Sequence, residues 1–273
     1  MSIAELPASM PTHLDLPDTD NKPVDNFFQT AQAYLLTGSL RPHLDQLHPD
    51  GNYIVGSDSG IYWTYKKKDP LSGCKAPDFF YVPGVPNELN GVIRRSYVMW
   101  QEGVSPLAVM EFVSGDGSEE RDDTPERGKF WVYERGIQAR FYVIFDSVRR
   151  ALEVFELIRG RYKPLKPEPS GRFRITPMKL DLGIWEGTFH SISSNWLRAW
   201  DLNGRLIPSP EEVAELRKQE TERERNRAEQ ERNRAEQERN RAEQERNRAE
   251  QERQRADALA TRLRELGIDP DKL

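Results

Sequence analysis

Two carboxylates and a lysine stand out in this chain by where they fall. Asp78 follows Pro77 at the head of an apolar run over 79–82. Glu111 interrupts a second apolar run over 107–113, Leu-Ala-Val-Met-Glu-Phe-Val. Lys129 opens a helix-like stretch over 128–135, beyond a polar, acidic, loop-like segment over 118–127. A carboxylate inside such a run is costly unless it is paired, bound to metal or turned to a cleft. Two carboxylates are the donors that a hard cation such as Mg²⁺ prefers. A cation so held activates a water and stabilises charge growing on a phosphate. A lysine beside it orients or deprotonates that water, or steadies the developing charge. The chemistry of this set is metal-assisted hydrolysis of a phosphodiester. Asp78, Glu111 and Lys129 would be its catalytic groups, and Mg²⁺, or Mn²⁺ in its place, the cofactor.

The order of Pro-Asp, a strand Glu and a nearby Lys is the pattern of PD-(D/E)xK nucleases. One position departs from it, because the usual lysine would stand at 113, where this chain has Val113. The same residues also read without chemistry. Asp78 is then a turn residue, and Glu111 with Lys129 a structural ion pair.

The elements that must position these groups follow from pattern. Asp25 can cap a helix through Phe27, Phe28, Ala31, Tyr34 and Leu35, with Gly38 as its stop. Short β-type runs at 52–55 and 61–65 flank Ser57-Asp58-Ser59-Gly60 and predict a hairpin. Strands follow at 78–82, 96–101 and 107–113, the last read as buried on both faces. After the helix at Lys129 come a central strand over 140–146 and a hairpin over 152–165 turning at Arg159-Gly160. Leu180–Leu182 and Ile184-Trp185 are the last core contributions, and Asn203-Gly204 makes a small hairpin turn. This order predicts an α+β (mixed α/β) fold, neither a bundle nor a sandwich.

Composition divides the 273 residues unevenly. The whole chain has 40 Lys+Arg against 45 Asp+Glu, a formal net charge of −5, which excludes a polycationic nucleic-acid coat. Residues 211–266 hold 16 acidic and 15 basic side chains and no aromatic, so every Trp, Tyr and Phe belongs to the rest. The heptad Glu-Arg-Asn-Arg-Ala-Glu-Gln starts at 224, 231, 238 and 245, with a near-copy at 252. With no Gly or Pro over 211–266, this is a long charged helix beginning near Ser209-Pro210. If Ala228 and its repeats fill position a, Glu231 and its repeats fill position d, a seam that buries little. An isolated helix and a homo-oligomer through 211–266 both remain open.

The expected organisation is a flexible arm over 1–24, a catalytic-type domain over 25–207, the charged helix over 208–267 and a tail over 268–273. Cys74 is the lone cysteine, so neither an internal disulfide nor a Cys/His metal cluster can form. The N-terminus lacks the charged and apolar regions of a secretion signal, and no run spans a membrane. A cytoplasmic protein without membrane association is expected. Lys66-Lys67-Lys68 and Arg94-Arg95 are solvated ends or phosphate contacts, and Trp63, Trp100 and Trp131 read as packing residues. His190 and the other histidines read as structural.

Beyond the three residues, the stretch from Pro77 to Leu182 resembles the Uma-two family of restriction-endonuclease-like proteins, abundant in cyanobacteria. The resemblance is carried by Pro77-Asp78-Phe79-Phe80-Tyr81-Val82, Tyr97–Gly103, Pro106, Val109–Ser114 and Arg121-Asp122. It continues through Lys129 four before Tyr133, Gly136-Ile137, 142–146 and the hairpin 154–162. Leu180–Trp185, Asp201–Gly204, the Glu/Arg/Ala repeats and the end at Leu266–Asp269 are similar to its longer members. The resemblance implies a restriction-endonuclease-like core, a central mixed sheet flanked by helices, with Asp78 and Glu111 as metal ligands and the Phe112 carbonyl as a further one. It implies a lysine on the following helix, matching Lys129 and accounting for Val113. Family members commonly carry a Glu in the first hairpin, where this chain reads Ile54-Val55-Gly56-Ser57-Asp58. DNA is the implied substrate. A silent binding scaffold that assembles through the helix is the rival reading.

Overall fold

Side chains alternate across a strand, so each apolar run feeds two faces of a sheet. The computed structural model describes residues 10–17 and 27–265. Its elements run α1 (Phe27–Leu47), β1 (Tyr53–Gly56), β2 (Ile61–Tyr62), β3 (Cys74–Lys75), β4 (Phe79–Pro83), β5 (Glu88–Leu89), β6 (Val92–Ile93) and β7 (Tyr97–Val98). Next come α2 (Met99–Glu102), β8 (Ala108–Phe112) and α3 (Lys129–Trp131), the last continuing as a wider π-type turn over Val132–Ile137. Then follow β9 (Phe141–Asp146), β10 (Ala151–Ile158), β11 (Arg161–Pro164), β12 (Phe173–Ile175), β13 (Leu180–Phe189), β14 (Ile192–Asp201) and α4 (Pro210–Glu265). This is a mixed α/β fold.

Among the described residues the main sheet has the order β1-β4-β8-β9-β10-β11. The pair β8/β9 is parallel and the others are antiparallel, so the sheet is mixed. One face carries Phe79, Tyr81, Met110, Phe112, Val143 and Phe145. It packs on Leu36, Leu40 and Leu44 of α1 and on a second sheet, β12-β13-β14. The other face carries Phe80, Val82, Val109, Tyr142 and Ile144 under Val132, Tyr133 and Ile137. Glu111 alternates with Met110 and Phe112, so it joins Val109 on the face beneath α3.

Four expectations change. The 52–55 and 61–65 runs do not form a hairpin: β1 pairs with β4, and β2 pairs with β3 and β7 in a small separate sheet. Gly56 shows why β1 stays with β4, since a Cβ there would lie 2.1 Å from the Phe80 ring. Gly38 does not stop α1, which continues to Leu47 with Pro42 inside it. Burial of Ser39, Leu40 and Leu44 outweighs the local breakers, and Gly38 admits Pro210, whose Cδ would be 3.1 Å from a Cβ. The 96–101 run is strand only at Tyr97–Val98 and then turns into α2. The core contributions after 180 belong to a long antiparallel hairpin of β13 and β14.

Residues 10–17 lie against the small sheet: Trp100 Nε1 donates to Pro11 O (2.9 Å) and Tyr62 OH to Pro17 O (2.6 Å). The Asp25 cap and the end at Leu266–Asp269 fall outside the described residues. The chain forms two compact units, 1–210 and 211–273. In the second, α4 is 56 residues long, about 84 Å at the usual rise, and has no buried side chain. No described helix is long and apolar enough to cross a membrane.

Candidate active site

β4 and β8 bring the two carboxylates together. Their register pairs Phe79 with Met110, so one step further along sets Asp78 opposite Glu111 on the same face. Asp78 stands just before β4, past the end of the backbone ladder, and its Oδ2 accepts the Phe112 N–H at 2.5 Å. Ser57 Oγ donates to the Asp78 carbonyl at 2.9 Å, fixing that strand end. Glu111 is 2 % exposed. Its Oε1 accepts from Tyr133 OH at 2.5 Å and its Oε2 from Lys129 Nζ at 3.1 Å. Lys129 and Tyr133, four apart, reach the same carboxylate from one face of the helical turn.

Electrostatics follow from burial. Loss of water pushes the Asp78 carboxyl up to about 8, with the nearby Glu111 charge adding to the rise. Burial likewise raises Glu111, against the opposing pull of Lys129. Burial works to lower Lys129, but Glu111, Glu119 and Glu120 outweigh it and hold the ammonium protonated well above the ordinary lysine range.

The structure thus brings together Asp78, Glu111 and Lys129. The Phe112 carbonyl accepts Gln29 Nε2 of α1 at 3.0 Å, leaving one lone pair for another partner. Glu120 was not legible in the sequence. It is 1 % exposed within the polar loop, with Oε1 3.5 Å from Lys129 Nζ. Nothing local distinguishes it from its exposed neighbour Glu119, which is also 3.5 Å from Lys129. Gln29 was equally silent, whereas Tyr133 was visible by its spacing from Lys129. Among the described residues no group of three or more Asp, Glu, His or Cys forms a metal-holding cluster. The carboxylate pair still suits Mg²⁺, which keeps several waters and asks for only one or two protein carboxylates. Two buried carboxylates on one face repel each other, and a divalent cation relieves that repulsion.

The other singled-out residues lie elsewhere or serve packing. Lys66 pairs with Glu126 at 3.0 Å, and Arg94 is buried on Glu102 at 2.7 Å, so Arg94 is a structural partner rather than a phosphate contact. Trp63 and Trp131 meet edge to face, and His190 stacks on Phe189.

A known family, Uma2, described as "Putative restriction endonuclease", matches residues 19–190, a span holding Asp78, Glu111 and Lys129 but ending before β14 and α4. No curated protein matches. Among solved structures, one titled as a putative nuclease belonging to DUF820 from Anabaena variabilis is similar, with 14% identity and a TM-score of 0.35. That likeness covers 55% of this chain and 76% of the other.

Proposed function

The chain belongs to the Uma2 family, and from that premise we propose that it is a Mg²⁺-dependent endonuclease that hydrolyses phosphodiester bonds of DNA. The observation that carries this reading is the pairing of Asp78 with Glu111 on one buried face, under a lysine kept protonated by carboxylates. Asp78 and Glu111 would hold the metal, and the remaining Phe112 lone pair would suit it as a further ligand. Bound there, Mg²⁺ or Mn²⁺ supplies Lewis-acid polarisation of the phosphate and a more acidic water. Lys129, as a standing ammonium, donates to the attacking water or to the phosphate oxygen where charge grows, and has no lone pair with which to act as a base. Tyr133 holds Glu111 by its other oxygen and fixes the direction in which the carboxylate faces.

The partner we propose for α4 is a second copy of the chain, joined along the alanine column that recurs every seven residues from Ala228 to Ala256. Leu259, 66% exposed and at position d of the same seam, would be covered there.

The test is cleavage of supercoiled plasmid with Mg²⁺, comparing wild type, Glu111→Gln, Asp78→Asn and EDTA-treated protein. Cleavage by wild type alone is expected. A wild type that neither cleaves nor binds Mg²⁺ by calorimetry would leave a silent scaffold. Cleavage that survives Glu111→Gln would remove the site from these residues.

A further inference from the structure

Glu120 is a buried carboxylate with no evident packing reason to be there. It is 1 % exposed, and its Oε2 accepts no hydrogen bond among the described residues. Such an orphaned buried oxygen costs stability, so a fold that keeps one calls for an explanation beyond packing. Its surroundings hold it firmly. Tyr142 OH donates to the Glu120 carbonyl at 2.8 Å from β9. The adjacent Arg121 is bonded to Gly117 O at 2.6 Å and to the Glu153 carboxylate of β10. Phe130 N–H donates to Asp122 O at 3.0 Å, tying the loop to α3, and a Cβ on Gly128 would lie 2.2 Å from that oxygen. The loop therefore delivers the Glu120 carboxylate to within 3.5 Å of Lys129 Nζ.

Lys129 already has a carboxylate partner in Glu111 at 3.1 Å, so a structural ion pair is complete without Glu120. The formal charges of Asp78, Glu111, Glu120 and Lys129 sum to −2, which one divalent cation would balance. We infer that Glu120 is a positioning residue for Lys129. It anchors the ammonium beside the reaction centre when Glu111 is committed to the metal. The inference rests on the proposed nuclease reading for its catalytic meaning, but the contact itself can be tested without it.

The first measurement is acetylation of Lys129 by acetic anhydride, followed by mass spectrometry without metal or DNA, with Lys163 as internal standard. Glu120→Gln is expected to raise Lys129 reactivity several-fold. Tyr142→Phe, which frees the Glu120 carbonyl while keeping the ring, is expected to raise it in the same direction and keeps the test alive should Glu120→Gln not fold. Unchanged reactivity in folded Glu120→Gln, or in Tyr142→Phe should that variant not fold, would overturn the inference. In plasmid cleavage, Glu120→Gln is expected to lower kcat at least tenfold with KM for DNA within twofold. In a Lys129→Met background it should cause no further loss. An additive loss in that background would make Glu120 merely structural. Loss of Mg²⁺ binding as complete as in Asp78→Asn would make it a ligand instead. Wild-type cleavage with Glu120→Gln fully active would sink this inference and leave the nuclease reading standing. An inert, metal-free wild type would sink the nuclease reading, and the labelling result would still decide the contact.

Discussion

Asp78 ties the candidate chemistry to stability. Its carboxyl sits at about 8 in the folded chain because burial and Glu111 disfavour its charge. An unfolded aspartate ionises near about 3.9. Below that value both states are protonated and the contribution of this group is fully present. As pH rises from about 4 to about 8 the unfolded state ionises while the folded one does not, so stability falls and levels off above the folded value. Asp78→Asn removes that ionisation. It is expected to leave stability nearly unchanged at pH 4 and to raise it by up to about 5 kcal/mol at pH 8, measured by thermal melts across pH. A cation must displace the same proton. Mg²⁺ affinity is therefore expected to strengthen as pH climbs to about 8, with proton release visible by calorimetry in buffers of different ionisation enthalpy.

At the scale of elements, α1 does more than cover the sheet. Gln32 is fully buried, donating to Leu197 O at 2.9 Å and accepting the Leu197 N–H at 2.8 Å. β14 is the edge of its sheet, and the Gln32 amide completes that edge as a strand would. Gln32→Leu leaves two buried backbone groups unpaired and is expected to cost about 2–4 kcal/mol in chemical denaturation. The helix α4 depends on different forces. It buries no side chain and carries repeated exposed pairs such as Arg241–Glu245, 3.5 Å apart. Each such pair contributes only about 0.2–0.5 kcal/mol and is screened by salt. Circular dichroism in about 1 M NaCl is expected to show helix loss at lower temperature, with the core transition little changed.

For the whole molecule, the proposed chemistry and the proposed assembly belong to different units. Every proposed site residue lies in 1–210, and α4 adds no burial of its own. A chain ending at Pro210 is expected to keep plasmid cleavage and to melt within about 0.5 kcal/mol of the full chain. In sedimentation, the full chain is expected to exceed its 31.6 kDa monomer mass and the shortened chain to match its own.

The sequence by itself determined the residue types and the strands that bear them. Asp78 before one apolar run and Glu111 inside another are legible because a carboxylate among buried neighbours breaks the local pattern. Lys129 is legible as the basic residue that opens the next helix. The charged helix is equally legible, since seven-residue repeats without Gly or Pro leave the backbone one good choice. Tertiary structure alone decided the pairing of β1 with β4, the passage of α1 through Gly38 and Pro42, and the burial of Glu120. Each turns on contacts between residues distant in the chain: Gly56 with Phe80, Gly38 with Pro210, Glu120 with Tyr142. Local propensity carries no record of such contacts, and a polar loop reads as solvated until a partner elsewhere in the chain takes it out of water.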